Sequence, residues 1–259
     1  MSTGATFLKR NPSAPPDFFA CEATGLRWLA AVPGGVPCVE VLDQDDTGLT
    51  LRRLTTTLPT QAAAARFGER LAITHDGGAA GFGAAPDGWT GPGYFGPLQR
   101  PLPMSLVRHD SWGGFYAAER LEPMLRHAAP SLYTGSRSLL DRVIARCAAG
   151  DFDDDDSPAR LHGDLWSGNV VWTPGGVVLI DPAAHGGHRE SDLAMLALFG
   201  CPHLEDVFRG YQSVHPLRPG WRERRPLHQL YPLLAHVALF GAGYAPQTAA
   251  AARAVLANS

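Results

Sequence analysis

His162-Gly163-Asp164-Leu165-Trp166-Ser167-Gly168-Asn169, continued by Val170-Val171-Trp172 and closing on Leu179-Ile180-Asp181, is the stretch on which the fold turns. Asp164 and Asn169 stand at the offset at which a phosphoryl-transfer loop places two groups: the carboxylate that accepts a hydroxyl proton and the amide that holds a metal. Val170-Val171-Trp172 and Val177-Val178-Leu179-Ile180 are β-prone runs, and Thr173-Pro174-Gly175-Gly176 between them is turn chemistry. A hairpin therefore separates Asn169 from Asp181 and folds the two oxygen ligands toward each other, as Mg²⁺ requires. The competing reading is a buried turn whose Asp and Asn only cap backbone groups. Capping would not call for all three polar residues at these separations.

Charge supplies a second clue. Lys9 is the only lysine among the 22 basic residues, the rest being arginine. A position that keeps Lys is a candidate for work that a planar guanidinium does poorly, such as steadying a phosphate with a compact ammonium. Chance survival under an Arg-rich coding bias accounts for Lys9 taken alone, but less well beside the catalytic segment. Lys9 follows the short β-prone run Thr6-Phe7-Leu8, which suits a lysine on a strand beneath a nucleotide. Downstream, Phe18 to Leu29 has apolar residues at helical spacing, with Asp17 placed to cap its start. Glu22 on that helix would face the strand and pair with Lys9, although a single Glu more often reads as a solvated helix residue.

These residues carry a family resemblance. LHGDLWSGNVVW, VLIDPAAHGGHRESDLAM and FFACEATGLRWLA resemble the fructosamine kinase family, a branch of the aminoglycoside phosphotransferase and protein-kinase-like fold; weaker similarity runs through Trp112 to Leu121. The resemblance implies an α+β, two-lobe protein with a small β-rich first lobe and a larger, mainly helical second lobe. It also implies ATP and Mg²⁺ as cofactors and transfer of the γ-phosphate to the 3-hydroxyl of a ketoamine. The acceptor would be a fructosamine, ribulosamine or erythrulosamine, as a small molecule or on a glycated protein, and the role deglycation repair.

One departure concerns the start. Kinases of this fold place two strands and a Gly-rich loop before the phosphate lysine, whereas Met1 to Thr6 is too short for that hairpin. The expectation is a truncated nucleotide lobe over residues 1–54 and a catalytic and substrate lobe over 55–259. Three explanations stay open: a start internal to a longer gene, an open nucleotide site, or a nucleotide-binding pseudokinase. Retention of Lys9, Asp164, Asn169 and Asp181 argues against the last. Another small-molecule kinase of the aminoglycoside or choline type is the remaining alternative.

Composition bounds the rest. A chain of 259 residues, 45% hydrophobic and with net charge −3, suits a globular protein with a sizeable core. Arg is scattered among acids, so no nucleic-acid surface is expected. No run approaches the roughly 20 apolar residues of a membrane span, and the start lacks a signal-peptide plan, so a cytoplasmic protein without a membrane partner is expected. Cys21, Cys38, Cys147 and Cys201 are widely separated and read as reduced thiols.

Along the chain, Val36 to Val41 and Leu49 to Leu54 read as a hairpin around the acidic turn at 43–46. Arg52, Arg53 and Leu54 then take the place of the inter-lobe hinge that meets adenine. Helical periodicity covers Gln61 to Thr74, Trp112 to His127, Leu139 to Ala149, Glu190 to Phe199 and Leu227 to Phe240. Gly77 to Pro103 reads as a long loop, Asp151 to Asp156 as an exposed flexible acidic loop, and Pro216 to Pro226 as an exposed connection.

Roles follow as expectations. Asp164 is the catalytic carboxylate, Asn169 and Asp181 are metal ligands, and Lys9 with Glu22 steadies the phosphates. Trp166 either offers a ring face to the acceptor or packs within its loop. His162 secures the catalytic loop rather than moving a proton, and Asp192 hydrogen-bonds the loop backbone unless it is merely a charge at a helix start.

Overall fold

The computed structural model describes residues 5–257. The reading of Met1 to Thr6 as too short for a Gly-rich hairpin lies largely outside them. Chain direction and leucine alternation build the first layer. Strand β1 (Thr6–Arg10) pairs antiparallel with β3 (Gly48–Arg52), which also pairs with β2 (Val41–Asp45), giving the order β1-β3-β2. Leu49 and Leu51 of β3 point inward onto α1 (Phe18–Ala30) and meet Phe18, Phe19, Ala23 and Leu26 there.

Two details differ from the sequence reading. Asp17 starts α1 in the left-handed region (φ 60°) and makes no side-chain cap; its backbone carbonyl closes the first turn by accepting the N–H of Cys21 at 2.8 Å. The acidic segment is not the turn: Asp43, Gln44 and Asp45 belong to β2. The reversal comes after them, where Asp45 Oδ1 accepts both the N–H (2.7 Å) and the hydroxyl (2.8 Å) of Thr47. The preceding residues pair elsewhere, with Val39 N–H donating to Leu179 O and Leu179 N–H to Pro37 O, both at 2.9 Å. The first sheet is thereby tied to the strand that leads into Asp181.

The remainder is mainly helical. Helix α2 (Gln61–Asp76) begins where Thr60 accepts the Ala63 N–H, and packs along α7 (Leu204–Val214). The Gly/Pro-rich segment expected as loop contains a short hairpin, β4 (Gly93–Phe95) with β5 (Leu102–Met104). Helix α3 (Trp112–Phe115) runs through a π-helical segment, Tyr116–Leu121, into α4 (Glu122–Ala128), a bulge of the kind that often sits near functional sites. Helix α5 (Thr134–Ala148) packs on α9 (Ala245–Ala257) and α6 (Glu190–Phe199) on α8 (Trp221–Phe240), around Leu121, Leu140, Val143, Leu230, Leu234 and Ala252. The catalytic segment spans β6 (Ala159–Leu161), β7 (Val170–Thr173), β8 (Gly176–Leu179) and β9 (His185–Gly187), paired β6 with β9 and β7 with β8.

Two expected exposed segments are structural. Arg222 to Pro226 lie inside α8, where burial of Trp221, Leu227 and Leu230 outweighs the cost of proline in a helix. Asp153 accepts the Gly113 N–H at 2.6 Å, while Asp154 and Asp156 bind His188 and Arg189, so the acidic run is a clamp rather than a flexible loop. No described helix is long and apolar enough to cross a membrane.

Candidate active site

The loop that carries Asp164 is held from behind. Gly163 has φ 81°, and a Cβ there would overlap the carbonyl oxygen of Ala183, so only glycine fits between β6 and the segment before β9. The flanking N–H groups of His162 and Gly163 both donate to Asp192 on α6, at 2.8 and 2.9 Å. Asp192 also takes His75 Nε2 at 3.2 Å, and His75 Nδ1 lies 2.8 Å from the Tyr211 hydroxyl. His162 Nε2 donates to Ile180 O at 2.9 Å, linking the loop to the strand end that carries Asp181. Since a carbonyl only accepts, this fixes the proton on Nε2 and leaves Nδ1 to accept the Asp164 N–H at 3.2 Å.

The three oxygen-bearing residues come together as the hairpin demands. Asn169 Nδ2 donates to Asp164 O at 2.8 Å and reaches Asp164 Oδ2 at 3.3 Å and Asp181 O at 3.4 Å. Asp181 occupies the left-handed region at φ 53°, a conformation Asp tolerates better than most residues. From the first sheet, Lys9 Nζ lies 2.6 Å from Glu22 Oε2 and 3.2 Å from Asp181 Oδ1. Strand β1, helix α1 and the catalytic hairpin thus converge on one ammonium.

Electrostatics follow from burial. Desolvation, reinforced by the Asp181 charge, pushes the Asp164 carboxyl up to about 7. Burial also raises Glu22, and the Lys9 ammonium opposes that rise. Burial pulls Lys9 down, but the carboxylates of Glu22 and Asp181 outweigh it and the ammonium lies above the ordinary lysine range. Asp192, despite burial, is held low by its bonds to His75, by His162 and by the Gly163 N–H.

Lys9, Glu22, Asp164, Asn169 and Asp181 all line one cleft of about 800 Å³, which Trp166, Ser167, Phe18, and Tyr94 to Gln99 also line. The tip beyond β4 bridges it: Leu98 O accepts Asn11 Nδ2 at 2.8 Å, and Arg100 donates to Leu239 O at 3.2 Å. Trp166 is 42% exposed at the cleft and folds over Gly168. Arg52, Arg53 and Leu54 do not line the cleft with their side chains. Arg52 pairs with Glu40, Arg53 donates to Thr6 O, and Leu54 packs on the α1 core. The cleft also gathers Phe199, His236, Leu239, Phe240 and Tyr244, none singled out in the sequence.

The donor set fits a hard divalent cation. Asn169 turns its NH₂ toward Asp164 and the Asp181 carbonyl, leaving Oδ1 without a hydrogen-bond partner among the described residues. The Asp181 carboxylate is 41% exposed to the cleft. Two oxygens of this kind beside the Lys9 ammonium suit Mg²⁺, which takes few protein ligands and shares substrate oxygens.

The sequence profile named fructosamine kinase matches residues 2–258. The chain belongs to the fructosamine kinase family. A Synechocystis relative, named a probable ketoamine kinase, is 33% identical over 262 residues, covering 93% of this chain and 79% of the relative. A Thermobifida fusca crystal structure, provisionally named a fructosamine-3-kinase, superposes with a TM-score of 0.89 at 47% identity, covering 97% of this chain and 85% of that one. A thermostable mutant of the aminoglycoside phosphotransferase APH(4)-Ia, solved with AMP-PNP and hygromycin B, shares the fold at TM-score 0.60 and 21% identity, covering 98% of this chain and 88% of that one. This fructosamine kinase family member is an ATP-dependent phosphotransferase with an alcohol acceptor, on the α+β, protein-kinase-like fold.

Proposed function

We propose that this kinase transfers the γ-phosphate of ATP to the 3-hydroxyl of a ketoamine, with fructosamines, ribulosamines and erythrulosamines as the acceptor class. Reversal of glycation on metabolites or proteins would be its consequence. The observation that carries the reading is the convergence of Lys9, Asp164, Asn169 and Asp181 on one cleft, with Lys9 aimed by Glu22. In this reading residues 1–54 form the nucleotide lobe and 55–259 the catalytic and acceptor lobe. The backbone leaving β3 at Arg53 and Leu54 would meet adenine.

Asp164 orients the acceptor hydroxyl and takes its proton as the oxygen attacks. Its carboxyl, titrating at about 7, is poised to accept that proton near neutrality. Lys9 neutralises phosphate charge, and Glu22 fixes the direction of the ammonium. Asn169 Oδ1 and the Asp181 carboxylate would hold Mg²⁺, which supplies charge neutralisation at the phosphates when bound. His162 and Asp192 keep the loop from turning Asp164 away.

Phosphorylation of ribulosamine and fructosamine derivatives, read by mass spectrometry, tests this. Asp164→Asn should abolish product while leaving nucleotide binding. A wild-type protein that binds ATP yet modifies none of these acceptors, or an Asp164→Asn variant of undiminished rate, would overturn it.

A further inference from the structure

Beyond the phosphoryl-transfer groups, the cleft continues onto a wall that this chemistry does not use. Helix α6 ends there in Phe199, α8 contributes His236 and Phe240, and the turn into α9 brings Tyr244. The rings form one cluster around His236, with centroids 4.6 Å from Phe199, 5.3 Å from Phe240 and 4.9 Å from Tyr244. Phe240 is 61% exposed, although it borders a core in which its neighbours are packed.

The polarity of that wall is set by one hydrogen bond. His236 Nδ1 lies 2.7 Å from Pro232 O, and because a carbonyl only accepts, Nδ1 carries the proton. Burial holds the imidazole below its usual range, so at neutral pH Nε2 is an unprotonated acceptor. It has no hydrogen-bond partner among the described residues. The cleft's carboxylates, Glu22, Asp164 and Asp181, are all engaged in the Lys9 and Asn169 geometry. The wall therefore presents one neutral acceptor ringed by aromatic faces, a surface that favours a cationic N–H donor over an anion or a bare hydroxyl.

We infer that this wall receives the protonated amine of the acceptor, whose N–H donates to His236 Nε2 while its charge lies against Phe240 and Tyr244. The inference rests on the function proposed above. A ketoamine joins a polyol to an aliphatic amine that is cationic near neutral pH. Its hydroxyl end belongs at Asp164, so its amine end requires a separate site within the same cleft. Ring faces desolvate the ammonium at low cost, and the His236 acceptor orients it. The wall thus selects amine-bearing ketoses against the free sugar.

The experiment compares three acceptors of one sugar: the amine-bearing ketoamine, its N-acetyl derivative, which is uncharged, and the free ketose. The wild type should show a KM roughly tenfold lower for the charged ketoamine than for the N-acetyl form. His236→Leu and Phe240→Ala should each erase most of that preference with little change in kcat or in KM for ATP. His236→Gln, which keeps an acceptor oxygen, should retain part of it. A preference that survives His236→Leu and Phe240→Ala overturns the inference while the kinase reading stands. Equal loss in His236→Gln and His236→Leu, with the KM for ATP disturbed, assigns the ring to packing and also overturns it. A wild type that phosphorylates no ketoamine overturns this inference and its parent together.

Discussion

Asp192 Oδ2 accepts the backbone N–H of His162 at 2.8 Å, so a carboxylate in the first turn of α6 sets the direction of the loop that carries Asp164. Its other oxygen takes the next N–H, that of Gly163, and the side chain is 1% exposed. A charged acceptor for two adjacent buried donors is hard to replace, because each donor left unpaired carries its full desolvation cost.

Asp192→Asn leaves one acceptor oxygen for three donors, the His162 and Gly163 N–H groups and His75 Nε2, and sets an NH₂ against one of them. The expected loss is about 2–3 kcal/mol of stability, with kcat reduced by at least tenfold and the KM for ATP little changed. Thermal unfolding and steady-state kinetics on the same preparation check it. Equal losses in kcat and nucleotide affinity would instead indicate general unfolding.

The Asp164 carboxyl yields a prediction with an unusual sign. Its folded value, about 7, lies above the ordinary carboxylate value, so the folded protein holds a proton that the unfolded chain has released. Its contribution is fully present below about 4 and is lost as pH rises through 7. Asp164→Asn mimics the neutral form, and the half-buried position limits the gain to about 2 kcal/mol. The variant should therefore unfold at higher temperature than the wild type at pH 8 and match it at pH 4. Coincident melting curves at both pH values would contradict the raised titration.

Lys9 and Glu22 form a buried pair, and Glu22 Oε1 already lacks a hydrogen-bond partner. Lys9→Met leaves that carboxylate without its cation, a change that costs roughly 3–5 kcal/mol when a buried pair is broken. Restoring neutrality with Lys9→Met/Glu22→Gln should recover much of the stability and none of the activity. A double variant no more stable than Lys9→Met would show that Glu22 takes up a proton once Lys9 is gone, so that no buried charge is left for Gln to remove.

What was legible in the sequence was local or fixed by spacing. The β7–β8 hairpin, the Lys9 strand and helix α1 carry their own turn chemistry and periodicity, and their joint geometry follows once they are paired. Relations between distant segments were not legible. Phe199, His236 and Tyr244 sit on three elements, and nothing along the chain marks them as neighbours. Asp151 to Asp156 looked solvated because consecutive carboxylates repel. Folding distributes their partners over Gly113, His188, Arg189 and Arg218, which no local pattern encodes. Helix α7 carries Gly210 in its interior, where glycine normally weakens the case for a helix.

That same glycine explains why α7 can exist where it does. A Cβ at Gly210 would overlap the carbonyl oxygen of Ala65 on α2, and one at Gly68 would overlap that of Val207 on α7. The two helices therefore cross backbone to backbone, each glycine seated against the other's main chain, with Phe67, Leu71, Val207 and Phe208 packed around them. On an exposed helix, Gly→Ala would stabilise by up to about 1 kcal/mol. Here it should destabilise instead, because the obstacle is backbone rather than a side-chain end that can swing away, and overpacking of this kind costs about 1–3 kcal/mol. His75 lies on α2 and Tyr211 on α7, so forcing the helices apart also strains the His75 link to Asp192. Gly68→Ala and Gly210→Ala should each lower the denaturation midpoint and depress kcat. Either variant with wild-type stability would show that the helices separate freely and that the catalytic loop does not depend on their contact.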